Sequence, residues 1–439
     1  MGKLFQQSMD NLPGVLVMCS SVKFSFIALL MITMINPCIC NQMDPHVYPN
    51  RGPFFEGWYL RIIDPGENLS LGFLFGLVLP IEQHSQQYQK HCHKLVNQLE
   101  IKRCLNEVLQ MQKHAYDSNL KAHNSSFPLV YTSLLLSFNS TTKLDTPTGF
   151  FNPDDCSVTK DGRPVTKNPD DLTPPNFEAV ISQNLSFAVT ENKTMFSVTV
   201  GNHIFKGFTF APVPWGPGGE GPESWLEKMP LPIHWFVYSL HSTVRYYEYV
   251  NLESGKIIRG GSKPGAPVIA HMEKNWGKSF PKAWVWAEGV DIAANVAFSF
   301  SSGVITELGM DIDAQLSGYR NGKKNISCSF NPVNSVHTLV QDGCSGTAVL
   351  TVKCLDCAVT FDLSAPPDTL SYCLATPQVV GFKKGCVESY VATARVTVHQ
   401  RRGVSMVLTD SHTINQAALE FGEKYMCNGS CPPEVYVYW

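Results

Sequence analysis

Fourteen short runs of alternating or β-branched residues, set apart by glycine, asparagine and proline turns, restrict this chain to an antiparallel all-β architecture of barrel or sandwich type. The runs cover residues 58–63, 71–79, 129–138, 185–189, 196–200, 204–210, 234–250, 268–272, 283–287, 296–300, 347–352, 358–363, 387–398 and 405–409. One region breaks the pattern. Cys92, Leu95, Val96 and Leu99 recur at helical spacing, and Ile101, Leu105, Val108 and Leu109 form a second stripe, so a helical insertion is expected over about 82–123. Thr141 to Pro175, rich in Asp, Pro, Thr and Lys, reads as a long surface excursion.

The N-terminal segment bears on the redox compartment. A polar start leads into an apolar run from Phe24 to Ile35 and then to Pro37, Cys38, Ile39 and Cys40, the order of a secretory signal peptide cut near Asn41. The run is too short for the roughly 20 residues that span a bilayer, so a signal anchor is the alternative and no stable membrane span is expected after cleavage. Met18 is an alternative start. Seven glycosylation sequons, at Asn68, Asn124, Asn139, Asn184, Asn192, Asn325 and Asn428, fit a secreted or endomembrane-lumenal glycoprotein. The eight cysteines from Cys328 to Cys431 imply four disulfides in that compartment, and Cys92 with Cys104 can staple the insertion. The expected organisation is a signal peptide over 1–40, a β domain over 41–300 and a cysteine-rich β domain over 301–439.

Several chemistries find no support. Net charge is −3 with lysine and arginine scattered, so no basic stripe points to nucleic acid. Cys354 and Cys357 have a metal-site spacing, but no second pair follows, and no metal or cofactor is expected. Gly216 to Gly221 matches a dinucleotide glycine pattern without a βαβ unit around it, and reads as a turn or lid. No nucleophile elbow or HExxH motif occurs.

Glu273 to Trp286, EKNWGKSFPKAWVW, is too aromatic for a solvated loop and too charged for an ordinary core strand. It has the composition of a cavity wall where aromatic lining meets ionisable groups. A partner segment, FFEGWY, runs from Phe54 to Tyr59. Together with Pro212-Val-Pro-Trp215 and the segment from His234 to His241, these motifs resemble, in order, the signatures of the tocopherol cyclase family. The resemblance implies two lipocalin-like β-barrel domains, shared with carotenoid hydratases, around a cavity for a hydrophobic prenylated small molecule. It departs from the family form at Asn275, where an aspartate is usual, and after Trp286, where Ala287 and Glu288 open the continuation.

Ring closure on a prenylated quinol needs a proton delivered to an alkene and capture of the resulting cation by a phenolic oxygen. Glu56 and Glu273, beside aromatics, are candidate acids. Trp58, Trp276 and Trp284 offer π faces to a cation. Tyr59, His234 and His241 are candidates to orient a phenol or relay a proton, and Lys278 and Trp286 complete the expected ligand-binding set. Competing structural roles are ion pairs of the two glutamates with Arg61, Lys274 or Lys278, and plain core packing for Trp284 and Trp286. His234 and His241 lie an odd number of residues apart, which puts them on opposite faces of a regular strand. A non-catalytic carrier of an isoprenoid ligand is the alternative function.

Overall fold

The computed structural model describes residues 54–79, 129–138, 145–151, 156–160, 177–190, 192–307, 309–378, 381–428, 431 and 435–436. The expected helical insertion, the signal peptide, and sequons Asn124 and Asn139 lie outside them. Apart from 3₁₀ turns at Ser224–Lys228 and Pro367–Thr369, regular structure among the described residues is β-strand.

The first sheet takes β1 (Phe54–Asp64), β2 (Leu69–Leu79), β3 (Leu129–Phe138), β4 (Thr148–Phe151), β5 (Cys156–Lys160) and β6 (Phe177–Ile181). It continues with β7 (Leu185–Val189), β8 (Lys193–Val200), β9 (His203–Val213), β10 (Ile233–Asn251), β11 (Lys256–Gly260) and β12 (Ile269–Gly277). The order β4-β3-β2-β1-β12-β10-β9-β8-β7-β6-β5, antiparallel throughout, forms a nearly closed barrel, and β11 adds to β10. The second sheet takes β13 (Ala283–Asp291), β14 (Val296–Glu307), β15 (Met310–Asn321), β16 (Ile326–Phe330), β17 (Val336–Asp342) and β18 (Thr347–Lys353). Then come β19 (Cys357–Ser364), β20 (Cys373–Gln378), β21 (Gly381–Arg402), β22 (Ser405–Glu423) and β23 (Val435–Tyr436). Its order is β16-β15-β14-β13-β22-β21-β19-β18-β17, with β20 and β23 added to β21. This is a lipocalin-like antiparallel fold.

The chain passes from one sheet to the other between Gly277 and Ala283, inside the aromatic and charged stretch; residue 300, the expected division, falls within β14. The segment 141–175 contributes β4 and β5 and is not wholly an excursion. Its short strands are flanked by the Asp and Pro residues that masked them.

Side-chain alternation gives each barrel its own core and leaves a third set between them. On β1, Trp58, Leu60 and Ile62 enter the first core with Phe73, Phe75, Phe177 and Phe187. On β13, Val285 and Ala287 enter the second core with Phe298, Phe300 and Phe361. The other faces of these strands meet: Tyr59, Trp215, Trp235, Trp284, Trp286 and Tyr390 are buried together between the barrels. Gly72 of β2 makes this approach possible, since a Cβ there would lie 2.5 Å from the Tyr390 hydroxyl.

Among the described residues three disulfides form, Cys328–Cys357, Cys344–Cys427 and Cys373–Cys431, one fewer than the four expected from Cys328 to Cys431. Cys354, in the turn before β19, and Cys386, within β21, are unpaired. Their separate positions in the fold account for the missing bridge. Sequons Asn68, Asn192, Asn325 and Asn428 are exposed. No helix among the described residues is long and apolar enough to cross a membrane.

Candidate active site between the two barrels

β1 and β12 are register partners, which is why the two sequence motifs belong together. Phe55 faces Gly277, Glu56 faces Trp276, Gly57 faces Asn275 and Tyr59 faces Glu273. Because a strand shows alternate residues to opposite sides, this one pairing divides the expected site into two groups.

The even-numbered group points into the first barrel. Lys274 Nζ lies 2.5 Å from Glu56 Oε1, both side chains fully buried. The ammonium sits 5.0 Å from the Trp58 ring centroid and 4.8 Å from that of Trp276, a cation between two π faces. Trp58 also stacks on Phe75 and Phe177 at 5.2 and 5.3 Å. His234 stacks on Trp276 at 5.1 Å, and its Nδ1 is 2.7 Å from Glu223 Oε2. The other Glu223 oxygen accepts the Trp235 backbone N–H at 2.7 Å.

The odd-numbered group faces the second barrel. His271 is fully buried, with Nε2 3.0 Å from Glu273 Oε2 and Nδ1 3.3 Å from the Leu240 carbonyl. Both ring nitrogens meet acceptors, which suits the doubly protonated imidazolium. Burial alone would lower the His271 pKa, but Glu288 and Glu273 outweigh it and raise it. The Trp286 indole donates to Glu273 Oε2 at 3.2 Å. The Tyr59 hydroxyl is 2.8 Å from that of Tyr390 and 3.2 Å from Glu388 Oε1. Burial and the Glu388 charge raise the Tyr59 pKa, so it remains a neutral phenol.

Between the barrels lies a cavity of about 140 Å³. Tyr59 and Glu273 line it from the first barrel; Trp284 and Trp286 of β13, with Glu388 and Glu420, line it from the second. Phe280 closes one end, edge-on to Phe55 at 5.1 Å and to Trp284 at 4.9 Å. Glu56 and Trp58 also border the cavity, from strand positions whose side chains belong to the first barrel's interior.

The structure therefore brings together Tyr59, Glu273, Trp284 and Trp286 on the cavity side, while Glu56 and Trp58 border the same cavity from strand positions that face the first barrel's interior and Trp276 and His234 do not line it. The acids Glu56 and Glu273 do not converge, because neighbouring strands in register place even and odd residues on opposite faces. The ion-pair role foreseen for Glu56 is realised with Lys274. Lys278 is exposed and does not line the cavity, since it follows the last residue of β12. His241 is not a cavity residue either; burial and the Arg320 and His271 charges push its pKa down to about 4. It sits on the side of β10 that meets Arg320 and His271, away from His234, despite register shifts along the strand.

Sequence reasoning found Trp284 and Trp286 of the second barrel but missed its carboxyl groups. Glu388 and Glu420 are direct partners across β21 and β22. Burial and Glu420 push the Glu388 pKa well above the carboxylate range. Burial likewise raises Glu420, to about 7, although the Trp284 indole donates to it at 2.5 Å. The Cys386 thiol, also at the cavity wall, is raised by burial and by Glu420, so it is not a thiolate nucleophile. Arg61 pairs with Glu288, both completely buried, and donates to Ser70 Oγ at 2.7 Å and the Gln416 carbonyl at 2.6 Å. Glu288 is thus the polar partner of the Arg61 that follows FFEGWYL.

No protein-family model matches the sequence, and no curated protein sequence matches it. Solved structures do resemble it. CghA superposes with a TM-score of 0.50 at 11% identity, over 89% of this chain and 93% of CghA. A Nitrosomonas europaea protein designated AttH gives 0.45 at 11% identity, over 88% and 96% of the two chains. Kievitone hydratase from Nectria haematococca gives 0.41 at 9% identity, over 84% and 89%. At such identities the likeness concerns the fold alone. The class so defined is a two-barrel, lipocalin-like protein with a polar, aromatic-walled cavity between its barrels.

Proposed function

We propose that the protein catalyses a cofactor-free, proton-initiated cyclisation or hydration of a prenylated substrate, in the manner the tocopherol cyclase motifs imply, and that it does so in a secretory or lumenal compartment. One observation carries the reading: a single cavity in which Trp284 and Trp286 meet the carboxyl groups of Glu273, Glu388 and Glu420 and a neutral phenol. Protonation of a trisubstituted alkene creates a tertiary cation, and such a cavity supplies what that cation needs. Indole faces attract positive charge. Glu273, paired with the His271 imidazolium, is a fixed negative group facing it. Tyr59 is a neutral donor able to orient a phenolic oxygen. A cavity of about 140 Å³ matches the roughly 150 Å³ that accommodates a benzene ring, so it fits the reacting head of the substrate and the prenyl tail lies along the open side.

The test is incubation of the purified protein with a prenylated quinol in D₂O, followed by mass spectrometry. Turnover gives a product with one deuterium on carbon, and Glu273→Gln lowers the rate by about 10²-fold while ligand-induced quenching of tryptophan fluorescence persists. Binding without conversion, indifferent to that substitution, identifies a carrier. Absence of any binding removes both readings.

A further inference from the structure

We propose that Glu388 and Glu420, opposite each other on the wall of the inter-barrel cavity, hold one proton between them and deliver it to the bound alkene. This rests on the reading above. It moves the acid role from Glu56, which faces the other way against Lys274, to a pair supplied by the second barrel.

The charge inventory of the cavity singles the pair out. Facing it are Tyr59 and Arg61 from β1, His271 and Glu273 from β12, Glu288 from β13, Cys386 and Tyr390 from β21, and Glu423 from β22. The cations there have carboxylates of their own: Arg61 has Glu288, His271 has Glu273, and Lys383 has Glu423 at 2.7 Å. The donors to Glu388 and Glu420 are neutral: the Tyr59 hydroxyl, the Trp284 indole and the Cys386 thiol. Direct partners across an antiparallel pair have Cβ atoms about 4.5–5.5 Å apart, and like charges placed so repel. Two carboxylates in that position, without a cation between them, relieve the repulsion by retaining a proton. Burial acts in the same direction on both, raising Glu388 well above the ordinary range and Glu420 to about 7. Glu388 is almost wholly buried, whereas Glu420 is partly accessible at the wall, so Glu420 is the member that can reach a substrate.

The step balances without a further reactant in cyclisation. A carboxyl O–H breaks, a C–H bond forms at the alkene, and the tertiary cation is captured by the phenolic oxygen, whose proton returns to the vacated carboxylate. The product is an isomer of the substrate. In hydration, water takes the place of the phenol and its proton reloads the pair.

Carbon-13 NMR of protein labelled at glutamate carboxyls reads the proton directly in the unmodified chain. The expected result is a coupled pair with one midpoint near 7. In Glu420→Gln the remaining Glu388 midpoint falls by roughly one unit or more, because its charged neighbour is gone. If all the cavity carboxyls of the unmodified protein titrate in the ordinary range near pH 4, the shared proton does not exist and the proposal is overturned. In the D₂O assay, Glu420→Gln and Glu388→Gln are each expected to lower turnover by about 10²- to 10⁴-fold with fluorescence-detected binding within about three-fold. Retained turnover in both variants removes the delivery role even where the shared proton is seen. Absence of turnover in the unmodified protein overturns the functional reading and the delivery role with it, while the NMR titration still decides the shared proton.

Discussion

Arg61 and Glu288 form a completely buried ion pair between residues 227 positions apart in sequence. The guanidinium is also 4.2 Å over the Tyr390 ring and donates to the Gln416 carbonyl, so one side chain of the first barrel is tied to three strands of the second. Gln416 has a φ of +58°, in a stretch of β22 where the register with β21 shifts, which is how its carbonyl turns toward Arg61. Removing one partner strands a buried charge, a loss of about 3–5 kcal/mol. Glu288→Gln is therefore expected to lower unfolding free energy by that order in urea titration, and the double variant Arg61→Met, Glu288→Leu to recover most of it. A double variant no better than the single one would show that the pair's charges are not the cause. None of this is legible from sequence alone. Arg61 is visible as the residue closing an aromatic run, but its partner depends on a long-range register that local spacing does not encode. Glu388 and Glu420 escaped for the same reason, each lying in an unremarkable alternating strand.

At the scale of elements, alternation did locate most strands, because a half-buried strand must alternate. Besides the short β4, β5, β6, β11, β16, β20 and β23, it failed for β15, whose sequence MDIDAQLSGYRN begins with four exposed residues, and for β17, where Val336 and Val340 are exposed. β15 is instead held by a polar clasp. Asp410 of β22, almost wholly buried, accepts from the Tyr319 hydroxyl and from Asn321 Nδ2, each at 2.6 Å, and from Lys324 Nζ at 2.9 Å. These strands are not neighbours in the sheet, so the clasp joins them across the barrel. Burial would raise the Asp410 pKa, but those bonds outweigh it and hold it at about 2. A depressed carboxylate stabilises the fold above the unfolded value near 3.9, and the contribution disappears as pH falls through about 2. Asp410→Asn is accordingly expected to cost about 2 kcal/mol at pH 7 and almost nothing near pH 2. Unfolding curves for the two proteins that remain equally separated at both pH values would contradict the clasp's charge.

For the whole molecule, the decisive question is what couples two barrels that each possess a core. The Pro212-Val-Pro-Trp215 motif supplies an answer that its sequence only hinted at. Trp215 follows β9 of the first barrel, yet its indole donates to Ser329 Oγ of β16 at 2.9 Å. The same ring lies over Gly318 of β15, where a Cβ would come within 2.4 Å of it, and Arg320 Nη1 donates to the Pro214 carbonyl at 3.0 Å. The turn is thus a peg from one barrel set into a strand of the other, edge-on to Trp235 at 5.8 Å in the layer that also forms the cavity wall. Removing the peg should weaken the coupling and leave both cores intact. Trp215→Ala is expected to destabilise by about 3–5 kcal/mol, the range for a buried large aromatic. Gly318→Val, which blocks the seat without touching the peg, should reproduce the effect in part through overpacking, at about 1–3 kcal/mol. Because the lost contacts lie between barrels, calorimetry should show the unfolding transition broaden or split into two, and affinity for a cavity ligand should fall in both variants. A single sharp transition merely shifted to lower temperature, with ligand affinity unchanged, would place Trp215 in one barrel's own stability and remove it from the coupling that shapes the cavity.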